Sequence, residues 1–212
     1  MKSQMRYNIG KIHTRWVKII PMTLYEFKSK NKILQIYYNT YKTPIGKLFI
    51  ANTTKGICFV GFYTSKKETK AILENRFPYA TIINKSHTIQ LHYIDFFIKD
   101  WEYIKPLPLH IKGTPFQLTV WEQLLHIPVG KVTSYRDVAE RIEKKRAYRA
   151  IGNAIGKNPI LFMIPCHRVL NAKGGLGGFY WGINNKIKLL NAEFTRQNRK
   201  IEGYKNWIPT IF

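Results

Sequence analysis

The residues best placed to do chemistry lie in one stretch, FMIPCHRVLNAKGGLGG, residues 162–178. It holds Cys166, one of two cysteines in the chain, with Pro165 before it and His167 after it. Cysteine reacts as thiolate, and a free thiol with a pKa of about 8.5 is mostly protonated at neutral pH, so a neighbouring base must shift the balance. His167 is the evident base. Adjacent residues on a strand point to opposite faces, so direct contact needs a turn, and otherwise a bridging water; the spacing leaves both open. Pro165 fixes the backbone before the thiol, and GGLGG lets a ligand approach main chain. A lone cysteine is by default a packed core residue, which is the reading for Cys58 in the apolar run GICFVGF.

Such a thiol must be free and must meet a substrate. The chain has 212 residues, enough for one large domain or two small ones with a real core. Its 35 Lys and Arg against 12 Asp and Glu give a formal charge of +23. That excess favours a polyanion, nucleic acid first and an anionic membrane second, although a composition rich in Lys, Asn and Ile raises charge without any binding role. Two cysteines make no disulfide framework. The opening MKSQMRYNIGKIHTRW lacks the apolar core of a signal peptide, and no apolar run reaches the roughly 18 residues of a membrane span. A reducing, cytoplasmic setting is expected, with no membrane partner.

The elements that must position the thiol follow from periodicity. Residues 1–32 carry eight Lys or Arg and one acid, Glu26, and read as a basic extension, either docked on phosphates or a solvated arm. Residues 33–112 read as a small α+β unit. Short β-like runs span ILQIYYNT to GICFVGF, broken at Thr43-Pro44, Gly46 and Gly56. A helix capped near Ser65 ends at Pro78, and a second places Leu91, Ile94, Phe97, Ile98 and Trp101 at helical spacing. Residues 113–195 form the next unit, and 196–212 a tail. Thr114 then Pro115 marks a helix start, with Phe116, Val120, Leu124 and Leu125 as its buried face. Ser134 and Asp137 have capping-box spacing before VAERI, and KRAYRAIGNAIG begins another helix. Two short helices joined by a brief basic turn read as a helix-turn-helix. The last helix, NNKIKLLNAEF, shows Ile187, Leu190 and Phe194 on one stripe. A thiol nucleophile beside a nucleic-acid reader points to a modified base as substrate.

IPCHRV at 164–169 resembles the active-site signature of the O6-alkylguanine-DNA alkyltransferases (methylated-DNA–protein-cysteine methyltransferases), in their bacterial adaptive-response form. The resemblance runs from GTPFQLTVWEQLLHIPVGKVTSY through AYRAIGNAIGKNP and GGFYWG to LLNAE, residues 113–193, nearly without gaps. It is looser over 36–62. It implies an α+β fold: an N-terminal ribonuclease H-like unit with a small antiparallel sheet and helices, then a mostly helical, winged-helix-like unit with a helix-turn-helix. It implies direct repair of double-stranded DNA bearing O6-alkylguanine, and of O4-methylthymine in some members. One alkyl group passes to the protein's own cysteine, which is thereby spent, with no cofactor and no metal, in a monomer.

By the same resemblance Cys166 is the acceptor, and His167 assists its ionisation through a water. Glu193 orients His167, and Asn158 holds the active-site turn, in the logic of a carboxylate behind an imidazole. Tyr135 would rotate the target phosphate and protonate the departing guanine. Arg149 would fill the gap left by the turned-out nucleotide. Ala147, Tyr148 and Gly152 belong to the DNA-contacting helix, and Lys186 matches a last-helix lysine that aids the site and joins the DNA-binding set. Pro165, Gly177, Phe179, Tyr180 and Trp181 would line the alkyl and base pocket. Read without the family, Glu193 is a surface glutamate, Asn158 a turn residue, and Arg149 and Lys186 solvated charges.

One position departs from the common pattern and one varies within it. Tyr148 is bulky where smaller residues are usual. Trp181 resembles the bacterial members and not the glycine-bearing vertebrate ones, which implies a tight pocket that accepts methyl well and free benzylguanine poorly. VKIIPMTLYEFKSKNK resembles the tail of the AraC-type module found in adaptive-response fusion proteins. Rival readings are a damage sensor, a non-catalytic lesion binder and a thiol hydrolase; Cys166 weighs against the binder, and the charge against the hydrolase.

Overall fold

The computed structural model describes residues 17–28, 34–98, 106–144 and 146–196. The first unit comprises β1 (Val17–Pro21), α1 (Leu24–Lys28), β2 (Gln35–Thr43), β3 (Gly46–Thr53), β4 (Gly56–Phe62), α2 (Lys66–Arg76), β5 (Thr81–Asn84), α3 (Thr88–Ile98) and β6 (Leu107–Ile111). The second comprises α4 (Pro115–Leu125), β7 (Thr133–Ser134), α5 (Tyr135–Arg141), α6 (Tyr148–Gly156), a 3-10 turn over Cys166–Arg168, β8 (Val169–Leu170) and α7 (Ile183–Arg196). The fold is α+β.

Short turns join β2, β3 and β4 into an antiparallel meander, with Gly46 taking the positive φ of the first turn. The six-stranded sheet runs β1-β6-β4-β3-β2-β5. It is mixed: the antiparallel pairing expected holds for β2, β3 and β4, and the outer strands join in parallel. Helices α2 and α3 carry the chain back across the sheet, so β5 joins β2, and β6 joins β4, in parallel. Strand β1 pairs in parallel with β6, Val17 opposite Leu107 through Pro21 opposite Ile111. Residues 17–28 are therefore part of the folded unit and not a solvated arm. Val17 and Met22 are buried, and Glu26 of α1 pairs with Lys55 at 2.7 Å.

On α3 the buried positions are Gln90, Tyr93 and Ile94, while Leu91 is exposed. The expected stripe was displaced because polar groups pin the helix. Gln90 Nε2 donates to Asn52 Oδ1 at 2.7 Å, and the Tyr93 hydroxyl donates to the Leu161 carbonyl. The side chains of Phe97 and Ile98, and all of Trp101, lie outside the described residues.

Local capping sets the ends of the helices. Ser65 accepts from Glu68 N at 3.1 Å at the start of α2. Thr114–Gln117 and Ser134–Asp137 both form reciprocal capping boxes, opening α4 and α5. Helix α4 buries Val120, Trp121, Leu124 and Leu125, and Phe116 is only partly covered. Trp121 was absent from the expected face. It is wholly buried because its indole N–H finds the Ala154 carbonyl at 2.9 Å, which also fixes α6 on α4.

The two units share one apolar core. The segment before Cys166 is stitched to the sheet: Val60 N donates to the Pro159 carbonyl at 2.9 Å, and Leu161 N to the Val60 carbonyl at 3.2 Å. Strand β4 thus supports the reactive turn directly. Among the described residues no helix is long and apolar enough to cross a membrane.

Candidate active site

Cys166 opens the 3-10 turn that follows Pro165, and the turn answers the strand problem posed by its neighbour. The thiol is buried except for a small face on a cavity of about 190 Å³. Asn158, just beyond the end of α6, packs beneath it. Asn158 Nδ2 lies 3.0 Å from Cys166 Sγ and also meets the carbonyls of Ile164 and Ile160 at 2.7 and 3.1 Å, while its Oδ1 accepts from Ile160 N. One side chain therefore ties both ends of the turn and presents a donor to sulfur. Burial pushes the thiol pKa up. The Asn158 donor, the Lys186 charge and the backbone N–H groups of Cys166 and His167 pull the other way.

His167 is wholly buried, with Nε2 2.7 Å from Glu193 Oε1. Burial holds its pKa below the ordinary value, against the pull of Glu193. A carboxylate only accepts, so the neutral ring carries its proton on Nε2 and a lone pair on Nδ1. Nδ1 is buried and has no hydrogen-bond partner among the described residues. It is the basic atom of the pair. The Phe162 ring stacks on the imidazole, centroids 5.3 Å apart at 17°. Phe162 holds φ at 70°, a left-handed conformation that costs a non-glycine residue about 1–3 kcal/mol and persists only where packing demands it.

Glu193 is also wholly buried, yet burial does not neutralise it. Desolvation alone would raise its pKa; Arg168 and His167 hold it well below the usual carboxylate range. Arg168 Nε donates to both carboxylate oxygens at 3.0 and 2.9 Å, another guanidinium nitrogen reaches Oε1 at 2.6 Å, and a third meets the Ile127 carbonyl. Gly130 N donates to the second oxygen at 3.2 Å. Arg168 and Phe162 were missed in the sequence. The signal for Arg168 was its place beside the thiol, since a buried carboxylate requires a cationic partner nearby.

Helix α7 brings in a second buried charge. Its covered face is Lys186, Leu189, Leu190 and Glu193, one step round from the expected stripe, and Ile187 and Phe194 are only partly buried. An all-apolar stripe was the wrong template because two charged residues point inward to satisfy carbonyls and Arg168. Lys186 Nζ donates to the carbonyls of Val169, at 2.7 Å, and of Leu176. Burial lowers its pKa to about 8. Fully covered, it cannot reach a DNA phosphate, so its placement in the DNA-binding set is corrected. It supports the glycine loop and holds positive charge toward the thiol.

Tyr135, Asn158, Phe179, Tyr180 and Trp181 line the cavity together with Cys166. Gly152 of α6 does so as well. Pro165 lies buried at the start of the turn and does not line the cavity, and Gly178 takes the place expected of Gly177. Gly177 has φ +68°, and a Cβ there would meet the Tyr135 hydroxyl at 3.2 Å, so glycine keeps that hydroxyl accessible. Burial and the nearby thiol raise the Tyr135 pKa and keep it a proton donor. Trp181 closes the far wall. Its ring stands edge-on to Phe49, Phe62 and Tyr180 and lies flush against Gly61 of β4.

Outside the cavity, a groove of about 470 Å³ runs along the start of α6, lined by Tyr135, Arg136, Tyr148, Arg149 and Gly152. Tyr148 and Arg149 are exposed, and Ala147 is the N-cap of the helix. No group of three or more His, Cys, Asp or Glu among the described residues could hold a metal ion.

Comparison with known proteins follows the same outline. Residues 115–195 match the family model described as 6-O-methylguanine DNA methyltransferase, DNA binding domain, and residues 36–105 match its ribonuclease-like domain. The chain is 34% identical over 163 residues to the inducible methylated-DNA–protein-cysteine methyltransferase of Bacillus subtilis, covering 74% of this chain and 90% of that one. It is 32% identical over 180 residues to the bifunctional transcriptional activator/DNA repair enzyme Ada of Escherichia coli, of which it spans about half, 51%. A crystal structure of Mycobacterium tuberculosis OGT in complex with DNA superposes with a TM-score of 0.62 at 32% identity, covering 76% of this chain and 94% of that one.

Proposed function

The chain belongs to the 6-O-methylguanine DNA methyltransferase family, and from that premise we propose that it repairs DNA by moving the methyl group of O6-methylguanine onto its own Cys166. The observation that carries this reading is a thiol on a small cavity, backed by Asn158 and by a buried His167–Glu193 pair.

The lesion sits inside the duplex stack, so the nucleotide must first turn outward. Helix α6 presents Arg149 to occupy the gap, and Tyr148 offers a face for stacking. Gly152 borders both the groove and the cavity, which suits a base passing from one to the other. In the cavity Cys166 Sγ attacks the methyl carbon. The S–C bond forms as the C–O6 bond breaks, and the electron pair passes into the guanine ring. The thiol proton moves through a water to His167 Nδ1. Glu193 and Arg168 keep the ring in the tautomer that can take it. Tyr135 gives a proton to guanine N3, which makes guanine the better leaving group. The proton gained at His167 balances the one lost at Tyr135. The thioether does not revert, so each molecule acts once.

O4-methylthymine is a second substrate of the same chemistry. The protein acts as a monomer in the cytoplasm, without metal or cofactor. The test is intact mass after mixing with duplex DNA that carries a single O6-methylguanine. A gain of one methylene that disappears in Cys166→Ala supports the reading. Tight lesion binding with no gain in mass would move the assignment to a lesion sensor.

A further inference from the structure

Behind the reactive turn lies a second and larger groove, of about 940 Å³, between α1, the end of α2 and the start of α4. Its walls include the rings of Phe27 and Phe59 and the side chain of Ile72. Arg76, Lys112 and Lys157 also line it, and among the described residues no Asp or Glu does. Arg76 lies over the Phe59 ring, 5.6 Å from its centroid, and Lys112 Nζ lies 4.8 Å from the centroid of Phe27. Each of the two also donates to the other's main-chain carbonyl, Arg76 to Lys112 at 3.0 Å and Lys112 to Arg76 at 3.1 Å.

This arrangement holds like charges together, and no Asp or Glu among the described residues lines the groove as a counter-charge. Arg76 Nε is buried and has no hydrogen-bond partner among the described residues. Burial draws the Arg76 pKa down to about 10, and burial, Arg76 and Lys28 lower that of Lys112. A buried donor without a partner and two adjacent cations without an anion are both relieved by a bound oxyanion. The ring of Tyr180, exposed and also lining the groove, is the aromatic wall open to a ligand that carries a flat ring beside that anion. The groove shares Gly156, Asn158 and Tyr180 with the thiol cavity, so a ligand here touches the side chain that holds Cys166.

We propose that this groove is a second subsite, for a nucleotide phosphate whose base packs on the aromatic wall. The phosphate comes either from the DNA backbone beside the lesion or from a free nucleotide. The first source rests on the proposed function, and the second does not.

The experiment titrates the full chain with duplex DNA over a range of salt and, separately, with dAMP. Wild type, Lys112→Gln and Lys157→Gln are compared, with thermal unfolding as the check on folding. Lys157 is exposed, so its replacement leaves the core intact. If DNA supplies the phosphate, each variant lowers the slope of log affinity against log salt by about one. If a free nucleotide supplies it, dAMP saturates the wild type and binds the variants about tenfold more weakly, the loss of one charge-assisted hydrogen bond. Unchanged salt slopes together with no saturable dAMP binding overturn the subsite. Methyl transfer by the wild type is read separately by mass, so its failure would strike the proposed function and leave the subsite standing.

Discussion

Glu193 Oε1 accepts from His167 Nε2 at 2.7 Å while Arg168 grips the same carboxylate, and all three side chains are wholly out of solvent. The imidazole is thereby fixed in one tautomer with its basic lone pair on Nδ1. A carboxylate so strongly paired is a poor proton acceptor, so it orients the ring and does not take the proton itself.

Glu193→Gln therefore removes both the orientation and the counter-charge of Arg168. The expected result is a drop in the single-turnover transfer rate of about a hundredfold or more. Stability falls by roughly 3–5 kcal/mol, because a buried guanidinium is left unpaired. Rapid quench and urea denaturation measure the two losses, and an unchanged rate would remove Glu193 from the mechanism.

Acid should destabilise the fold in two stages. His167 is held neutral by burial, its folded pKa below the ordinary 6.5. Below that value the unfolded chain takes up a proton that the folded chain resists, so stability falls with pH until the folded pKa is reached. Glu193 has a folded pKa below 4.5, so its contribution is complete above 4.5 and drains away as pH falls further. Urea midpoints taken above 6.5, between 6.5 and 4.5, and below 4.5 should decline in that order. His167→Gln should remove the first stage and leave the second, which Arg168 then sustains, at lower amplitude.

Asn158→Ala leaves the Ile164 and Ile160 carbonyls without their donor and takes a hydrogen bond from sulfur. A loss of about 1–3 kcal/mol is expected. The apparent pKa of the thiol should rise, since desolvation already pushes it upward and one opposing group is gone. The pH profile of Cys166 alkylation by iodoacetamide reads this directly, and a profile shifted to lower pH would contradict it.

Gly61 decides how Trp181 closes the cavity. A Cβ at residue 61 would stand 2.2 Å from the Trp181 ring and 2.9 Å from Phe49. Gly61→Ala should therefore cost about 1–3 kcal/mol and slow methyl transfer by displacing the cavity wall. The wild type should keep its activity in dilute free O6-benzylguanine, and Trp181→Gly should lose it faster. Equal inactivation of the two would mean that Trp181 does not set the size of the pocket.

What the sequence determined by itself was local. The caps at Ser65, Thr114 and Ser134 were readable because a hydroxyl and an N–H three residues on decide them. The meander was readable because alternating β-formers and glycine turns need no distant partner. The thiol beside an imidazole was visible as two neighbouring residues. Its partners at 158 and 193 came only through resemblance, since nothing near Glu193 distinguishes it from a surface acid. Tertiary structure decided the rest. Val17–Pro21 joins the sheet because β6, some ninety residues later, offers an open edge. Lys186 and Glu193 turn inward because carbonyls and Arg168 await them there, and an apolar stripe count rejects such residues. Trp181 closes the cavity because Gly61 leaves room for its ring. Each depends on a partner distant in sequence, and neither periodicity nor capping carries information about a partner that only folding supplies.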